Sequence, residues 1–140
     1  MSITRDDAEK VLKSVFPPWV MELNLELLDL NSAAIRLLLP PNPKIERVGG
    51  LVAGQASLAL ADTAMVMALV NSIGEFRPVG TINLNASFMR PMANTGIICE
   101  ASVARLGKTT AFCRATLQES KGAGIAIEVA GTYSVPAVMP

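Results

Sequence analysis

The run from Leu51 to Ile73 constrains the fold of this chain more than any other segment. It is almost wholly apolar, contains no proline, and offers no polar face that a helix could turn toward water. Rich in Ala, Leu and Met, it reads as a helix wrapped by protein on all sides. Its length would also fit a membrane span. Asp62, at mid-span, argues against that, because a carboxylate at the bilayer centre costs roughly 3 kcal/mol or more. The rest of the chain also reads as strands that need a core, so the helix is expected at the centre of a globular domain.

The flanking sequence supplies the wrapping. Thr4 followed by Asp7 forms a capping-box-like start, and Ala8, Val11, Leu12 and Val15 recur at helical spacing until Pro17-Pro18. From Trp19 to Leu30 apolar and polar residues roughly alternate, and after the Asn31-Ser32 turn signal Ala33, Ile35, Leu37 and Leu39 alternate again, which predicts a hairpin. Beyond the long helix, alternating runs at 81–88, 97–106, 111–118 and 125–134 are separated by Arg90-Pro91, Leu106-Gly107-Lys108 and Lys121-Gly122-Ala123-Gly124, the pattern of an antiparallel meander. With 140 residues there is room for one compact domain. The expected class is α+β over residues 1–140: a curved antiparallel sheet rolled around one long apolar helix.

Composition narrows the chemistry. The chain has no histidine, which removes Ser-His-Asp and Cys-His catalysis, His-ligated metals and any dehydratase that relies on an imidazole base. Cys99 and Cys113 lack metal-knuckle or disulfide-framework spacing and read as buried thiols. No metal and no resident cofactor is expected. Twelve basic and twelve acidic residues leave no net field for a nucleic acid or an anionic membrane. Met1-Ser2-Ile3-Thr4-Arg5-Asp6-Asp7 is acidic where a signal peptide would be basic, so the cytoplasm is the expected compartment.

Two residues in the long helix call for explanation. Asp62 is costly to desolvate unless it is paired or faces a cleft, and no Arg or Lys lies within the helix to pair with it. It serves either packing, by bonding a donor elsewhere, or chemistry. Gly54 either continues the Gly49-Gly50 loop or begins the helix, where free N–H groups could stabilise an oxyanion. Eight residues of helix separate the two by ~12 Å, whereas donor and base must each come within ~3 Å of one reacting carbonyl. If both are catalytic, Gly54 comes from one subunit and Asp62 from another, so a dimer with two shared sites is predicted.

The run from Gly49 to Ala64, followed by Asn83-Leu84-Asn85-Ala86-Ser87-Phe88-Met89-Arg90-Pro91 and the Arg105-Leu106-Gly107-Lys108-Thr109 turn, resembles the hotdog-fold acyl-CoA thioesterases of the phenylacetate-degradation (PaaI-like) type. The resemblance covers about residues 5–135 and implies roles for particular residues. Asp62 would be base or nucleophile toward the thioester, Gly54 would give the N–H that polarises its carbonyl, and Thr81 would orient water or the carboxylate. Asn83 and the Arg105 to Thr110 turn, with Gly107, Lys108 and Thr109, would lie beside the coenzyme. Two helper side chains differ: the usual His-Gly-Gly is Ala53-Gly54-Gln55, and the Asn or Gln fifteen residues before the acid is Arg47. Gln55 would either supply an amide in place of the missing helper or cap the helix. Arg47 would either hold a phosphate or sit in solvent.

Coenzyme A is a polyanion, and the chain from Arg77 onward is basic on balance, with Arg90, Arg105 and Lys108 among its cations. Met65, Met67, Met89 and Met92 read equally as an adaptable acyl pocket or as core. The expected function is a homo-oligomeric acyl-CoA thioesterase that hydrolyses an acyl- or aryl-CoA thioester to free acid and coenzyme A. The alternative is a non-catalytic hotdog module that binds acyl-CoA or an acyl carrier.

Overall fold

The structure, a computed structural model, describes residues 3–122 and 124–137. Met1 and Ser2 of the acidic N-terminus and Ala123 of the expected turn lie outside them. Helix α1 (Arg5–Leu12) starts at Thr4, whose Oγ1 accepts a hydrogen bond from the Asp7 amide at 3.1 Å, and buries Ala8 and Leu12. The expected strand from Trp19 is corrected. Residues Pro18–Met21 form a single helical turn, α2, because proline at the first helical position is already set to a helical φ. That turn directs Val20 inward and leaves Trp19 58% exposed. After Asn24, at φ 56°, the chain enters strand β1 (Glu26–Leu30), which pairs with β2 (Ile35–Leu39). Asn31 builds the turn between them, its Oδ1 accepting from the amides of Ala33 and Ala34.

A 3-10 turn (Pro43–Ile45) leads to a small ribbon, β3 (Glu46–Arg47) with β4 (Leu51–Val52), closed by Gly49 and Gly50 at φ 93° and 73°. Leu51 and Val52 therefore belong to this ribbon, and the long helix α3 runs over Gly54–Ile73, stopped by Gly74 in the left-handed conformation. Four strands follow: β5 (Gly80–Phe88), β6 (Ile97–Leu106), β7 (Thr110–Glu119) and β8 (Ile127–Ser134).

All six long strands form one antiparallel sheet in the order β1-β2-β6-β7-β8-β5. Only β6, β7 and β8 form a meander. Strand β5 pairs with β8 at the far edge, because β2 already occupies the open side of β6 and the segment through Arg90-Pro91 is too long for a hairpin. The inner face carries Ile35, Leu37, Leu39, Ile97, Cys99, Ala101, Ala111, Cys113, Ala115, Leu117, Ile127, Val129 and Tyr133, all buried. Helix α3 lies on this face and buries most of its length. It is not wrapped on every side, however: Leu58, Asp62 and Val66 form a half-exposed stripe that ends at exposed Gln55.

Leu60 has no solvent exposure and belongs to the core between α3 and the sheet. The Leu60→Ala substitution is expected to lower unfolding free energy by about 2–5 kcal/mol, measured by urea denaturation. A loss below about 0.5 kcal/mol, the range of a surface substitution, would contradict this packing.

Candidate active site

Asp62 sits halfway along α3 in the half-exposed stripe. Its Oδ1 accepts two hydrogen bonds, from the Tyr133 hydroxyl at 2.7 Å and from Thr81 Oγ1 at 3.3 Å. Among the described residues no Lys or Arg lies within ion-pair distance of it, and Oδ2 accepts no hydrogen bond. The carboxylate is therefore supported by neutral hydroxyls on one oxygen. It also lines a crevice of about 170 Å³ with Phe16, Pro17, Trp19, Ala59 and Val66. It is neither fully paired nor sealed away from solvent.

A β-bulge brings Thr81 to this carboxylate. Leu84 and Ala86 pack on the core, so strict alternation would turn Ile82 inward and Thr81 outward. The register shifts instead: Thr81 pairs with Tyr133 and Asn83 with Thr132. Ile82 is the extra residue, 60% exposed, and Thr81 joins Tyr133 on the inner face. Tyr133 was not singled out from the sequence. The available signal was that a tyrosine on the inward side of an alternating strand needs a partner for its hydroxyl.

Gly54 opens a different cleft. It is the first residue of α3, and the amides of Ala56 and Ser57 turn back onto the Ala53 carbonyl at 3.0 and 3.2 Å. The Gly54 and Gln55 amides meet no acceptor among the described residues. A cleft of about 390 Å³ runs past Gly54 between Arg47, Ser57, Phe88 and Arg90. A Cβ on Gly54 would lie 3.5 Å from the Phe88 ring, an ordinary contact, so packing alone does not demand glycine there. Met65, Met67 and Met92 are core residues, which leaves Met89 as the exposed methionine beside this cleft.

Within one chain the expected site residues fall into two groups at opposite ends of the sheet. Leu106, Ala111, Tyr133 and Thr81 form one cross-strand row, so the Arg105–Thr109 turn lies at the Asp62 end. Ile97, Glu119, Leu117, Ile127 and Phe88 mark the other end, with Arg47, Arg90 and Gly54. Arg90 donates to the Gly124 carbonyl and Arg47 is exposed. Asn83 faces outward from the bulged part of β5. Gln55 makes no capping bond. It lines a third cleft with Trp19 and Lys44.

Comparison with known proteins agrees with this architecture. The sequence profile of the thioesterase superfamily matches residues 49–126. Ta0293 of Thermoplasma acidophilum, provisionally named an esterase, is 25% identical over 126 residues, covering 89% of this chain and 94% of that protein. The thioesterase HI1161 of Haemophilus influenzae superposes with a TM-score of 0.85 at 18% identity, over 100% of this chain and 95% of the other. A mutant of the phenylacetic acid degradation protein PaaI of Thermus thermophilus superposes with a TM-score of 0.73 at 21% identity, over 86% and 100% respectively. The fold is that of the hotdog thioesterases, PaaI-like proteins among them.

The inner face beneath α3 also carries the chain's buried acidic protons. Burial pushes the Cys113 thiol up from 9.0 to about 12. It raises Cys99 further, with nearby Glu100 adding to the effect. Burial, and then the Asp62 carboxylate, raise Tyr133 well above its ordinary 10.0. Folding thus buries the neutral forms, and above about pH 9 the unfolded chain releases protons that the folded chain keeps. The urea midpoint is expected to hold steady below that pH and to fall as pH rises from there. A midpoint unchanged on the alkaline side would contradict this burial.

Proposed function

Because the chain belongs to the thioesterase superfamily, we propose that it is a cytoplasmic, homo-oligomeric acyl-CoA thioesterase that hydrolyses an acyl- or aryl-CoA thioester to free acid and coenzyme A. The carboxylate of Asp62 carries this assignment, with one oxygen held by hydroxyls, no cation among the described residues to neutralise it, and a crevice alongside. Such a group is desolvated enough to act as base or nucleophile and open enough to meet a substrate.

The second half of the site comes from another copy of the chain. Strand β5 is a sheet edge nine residues long without a charged side chain, and it shows Ile82 and Phe88 to solvent. An edge of this kind is suited to pairing with another strand. Two β5 strands paired antiparallel about a twofold axis set the Thr81 end of one against the Phe88 end of the other. Asp62 bonds Thr81 and Gly54 lies beside Phe88, so the pairing sets Asp62 of one subunit near the helix start of its partner. It also joins the two separated groups of candidate coenzyme contacts: Arg105, Gly107, Lys108 and Thr109 with Asn83 on one side, Arg47 and Arg90 on the other.

In the resulting site the Gly54 N–H, at the positive end of α3, stabilises the oxygen of the attacked thioester carbonyl. Asp62 takes a proton from water as it attacks, or attacks the carbonyl carbon itself, while Thr81 fixes the carboxylate. The tetrahedral intermediate collapses by breaking the C–S bond, and coenzyme A leaves as the thiolate, which takes up the proton released by the attacking water. Where Asp62 itself attacks, water then hydrolyses the acyl–Asp62 anhydride to the free acid and the regenerated carboxylate. Gln55 stands near the helix start as a further amide.

Thiol release from a panel of acyl-CoA thioesters tests this. Asp62→Asn is expected to lower kcat by about 100-fold or more. Gly54→Pro removes the donor while keeping the helix start, since proline is tolerated at the first helical position and Ala53 already has the extended φ −63°, ψ 141° that precedes proline well. It is expected to lower kcat by about 100- to 1000-fold. Wild-type turnover in Asp62→Asn would reject the proposal. Acyl-CoA that quenches Trp19 without any thiol release would establish the non-catalytic binding module instead.

A further inference from the structure

Tyr133 is the single tyrosine of the chain, has no solvent exposure, and makes the shorter of the two bonds to Asp62. Its place on β8 is built for it. Gly131, two residues earlier on the same inner face, has an ordinary backbone conformation, so a turn does not require glycine there. A Cβ at that position would lie 2.9 Å from Tyr133 Cε2 and 2.9 Å from Met65 Cε. The missing side chain makes the slot through which the ring passes under α3. Ala111, opposite Tyr133 on β7, keeps the other flank small.

Filling the core would not require this arrangement, because phenylalanine would occupy the slot without bringing a hydroxyl that must be satisfied. The hydroxyl reaches a carboxylate, and to the same oxygen that Thr81 bonds from a different strand. Two donors from two strands on one oxygen stop rotation about the carboxylate axis and leave the other oxygen as the more available acceptor.

We infer that Tyr133 is a positioning residue for Asp62, holding Oδ1 so that Oδ2 is the oxygen presented to water or thioester. This rests on the thioesterase assignment above and adds to it which carboxylate oxygen reacts. Tyr133 on β8 is faced by Asp62 from α3, with Cys113 and Cys99 on β7 and β6 as the other titratable groups near it among the described residues. The phenol O–H is the donor and the carboxylate oxygen the acceptor.

The experiment compares wild type, Asp62→Asn, Tyr133→Phe and Gly131→Ala. Tyr133→Phe is expected to lower kcat by about 10- to 100-fold, the span of one charge-assisted hydrogen bond, with KM changed by less than about threefold. Gly131→Ala, which displaces the ring and keeps the hydroxyl, is expected to lower kcat in the same direction. Because the chain has one tyrosine, the tyrosine Fermi doublet in ultraviolet resonance Raman spectra reports this hydroxyl alone, and it is expected to differ between wild type and Asp62→Asn. Full kcat in Tyr133→Phe, in an enzyme that Asp62→Asn inactivates, would overturn the inference, as would identical doublets. Failure of the thioesterase assignment would show separately, as no thiol release by the wild type, and the doublets would still decide whether the bond exists.

Discussion

A carboxylate in an apolar helix is stable only if polar groups replace part of the water it loses. For Asp62 two hydroxyls do this, and much of the local architecture follows from bringing them there. Strand β5 carries an extra residue so that Thr81 turns inward, and β8 carries a glycine so that the Tyr133 ring passes beneath the helix. The flank of α3 at Leu58, Asp62 and Val66 stays half-open although most of the helix is buried. A guanidinium or ammonium partner would have supported the charge more fully and left less of it for chemistry. Neutral donors on one oxygen support the carboxylate without pairing it to a cation.

Much of the fold could be read in advance where burial imposes a period. The alternation of Ile35, Leu37 and Leu39, and of Ile97, Cys99 and Ala101, marks strands because each has one face on the core. Thr4 and Asn31 announced a helix start and a turn through the bonds their side chains make. What escaped was decided by less local forces. Pro18 starts a helical turn inside a segment whose alternation suggests a strand. The position of β5 beside β8 depends on β2 having taken the open edge of β6, which no segment encodes alone.

The site divides in the same way. Asp62 and Gly54 stand out because each breaks the pattern of its surroundings, a charge among aliphatic residues and a glycine at the start of a long helix. Thr81 could be assigned only by resemblance, because strict alternation points it away from the helix and the bulge at Ile82 leaves no sequence signature. Tyr133 looked like one more inward residue of an alternating strand, and its partner lies 71 positions away. The coenzyme candidates look scattered in one chain, since Arg47 and Arg90 lie at the end of the sheet opposite the Arg105–Thr109 turn. In the proposed dimer, pairing of two β5 edges would bring the two groups together.

The central claim is that each catalytic centre takes its carboxylate from one subunit and its oxyanion donor from another. Mixing separately inactive Asp62→Asn and Gly54→Pro proteins, with subunit exchange, tests it directly. Random pairing makes half the dimers mixed, and each mixed dimer has one intact site, so thiol release is predicted to recover to about a quarter of the wild-type rate. A mixture that stays as inactive as its two components after exchange is verified would contradict a site shared between subunits.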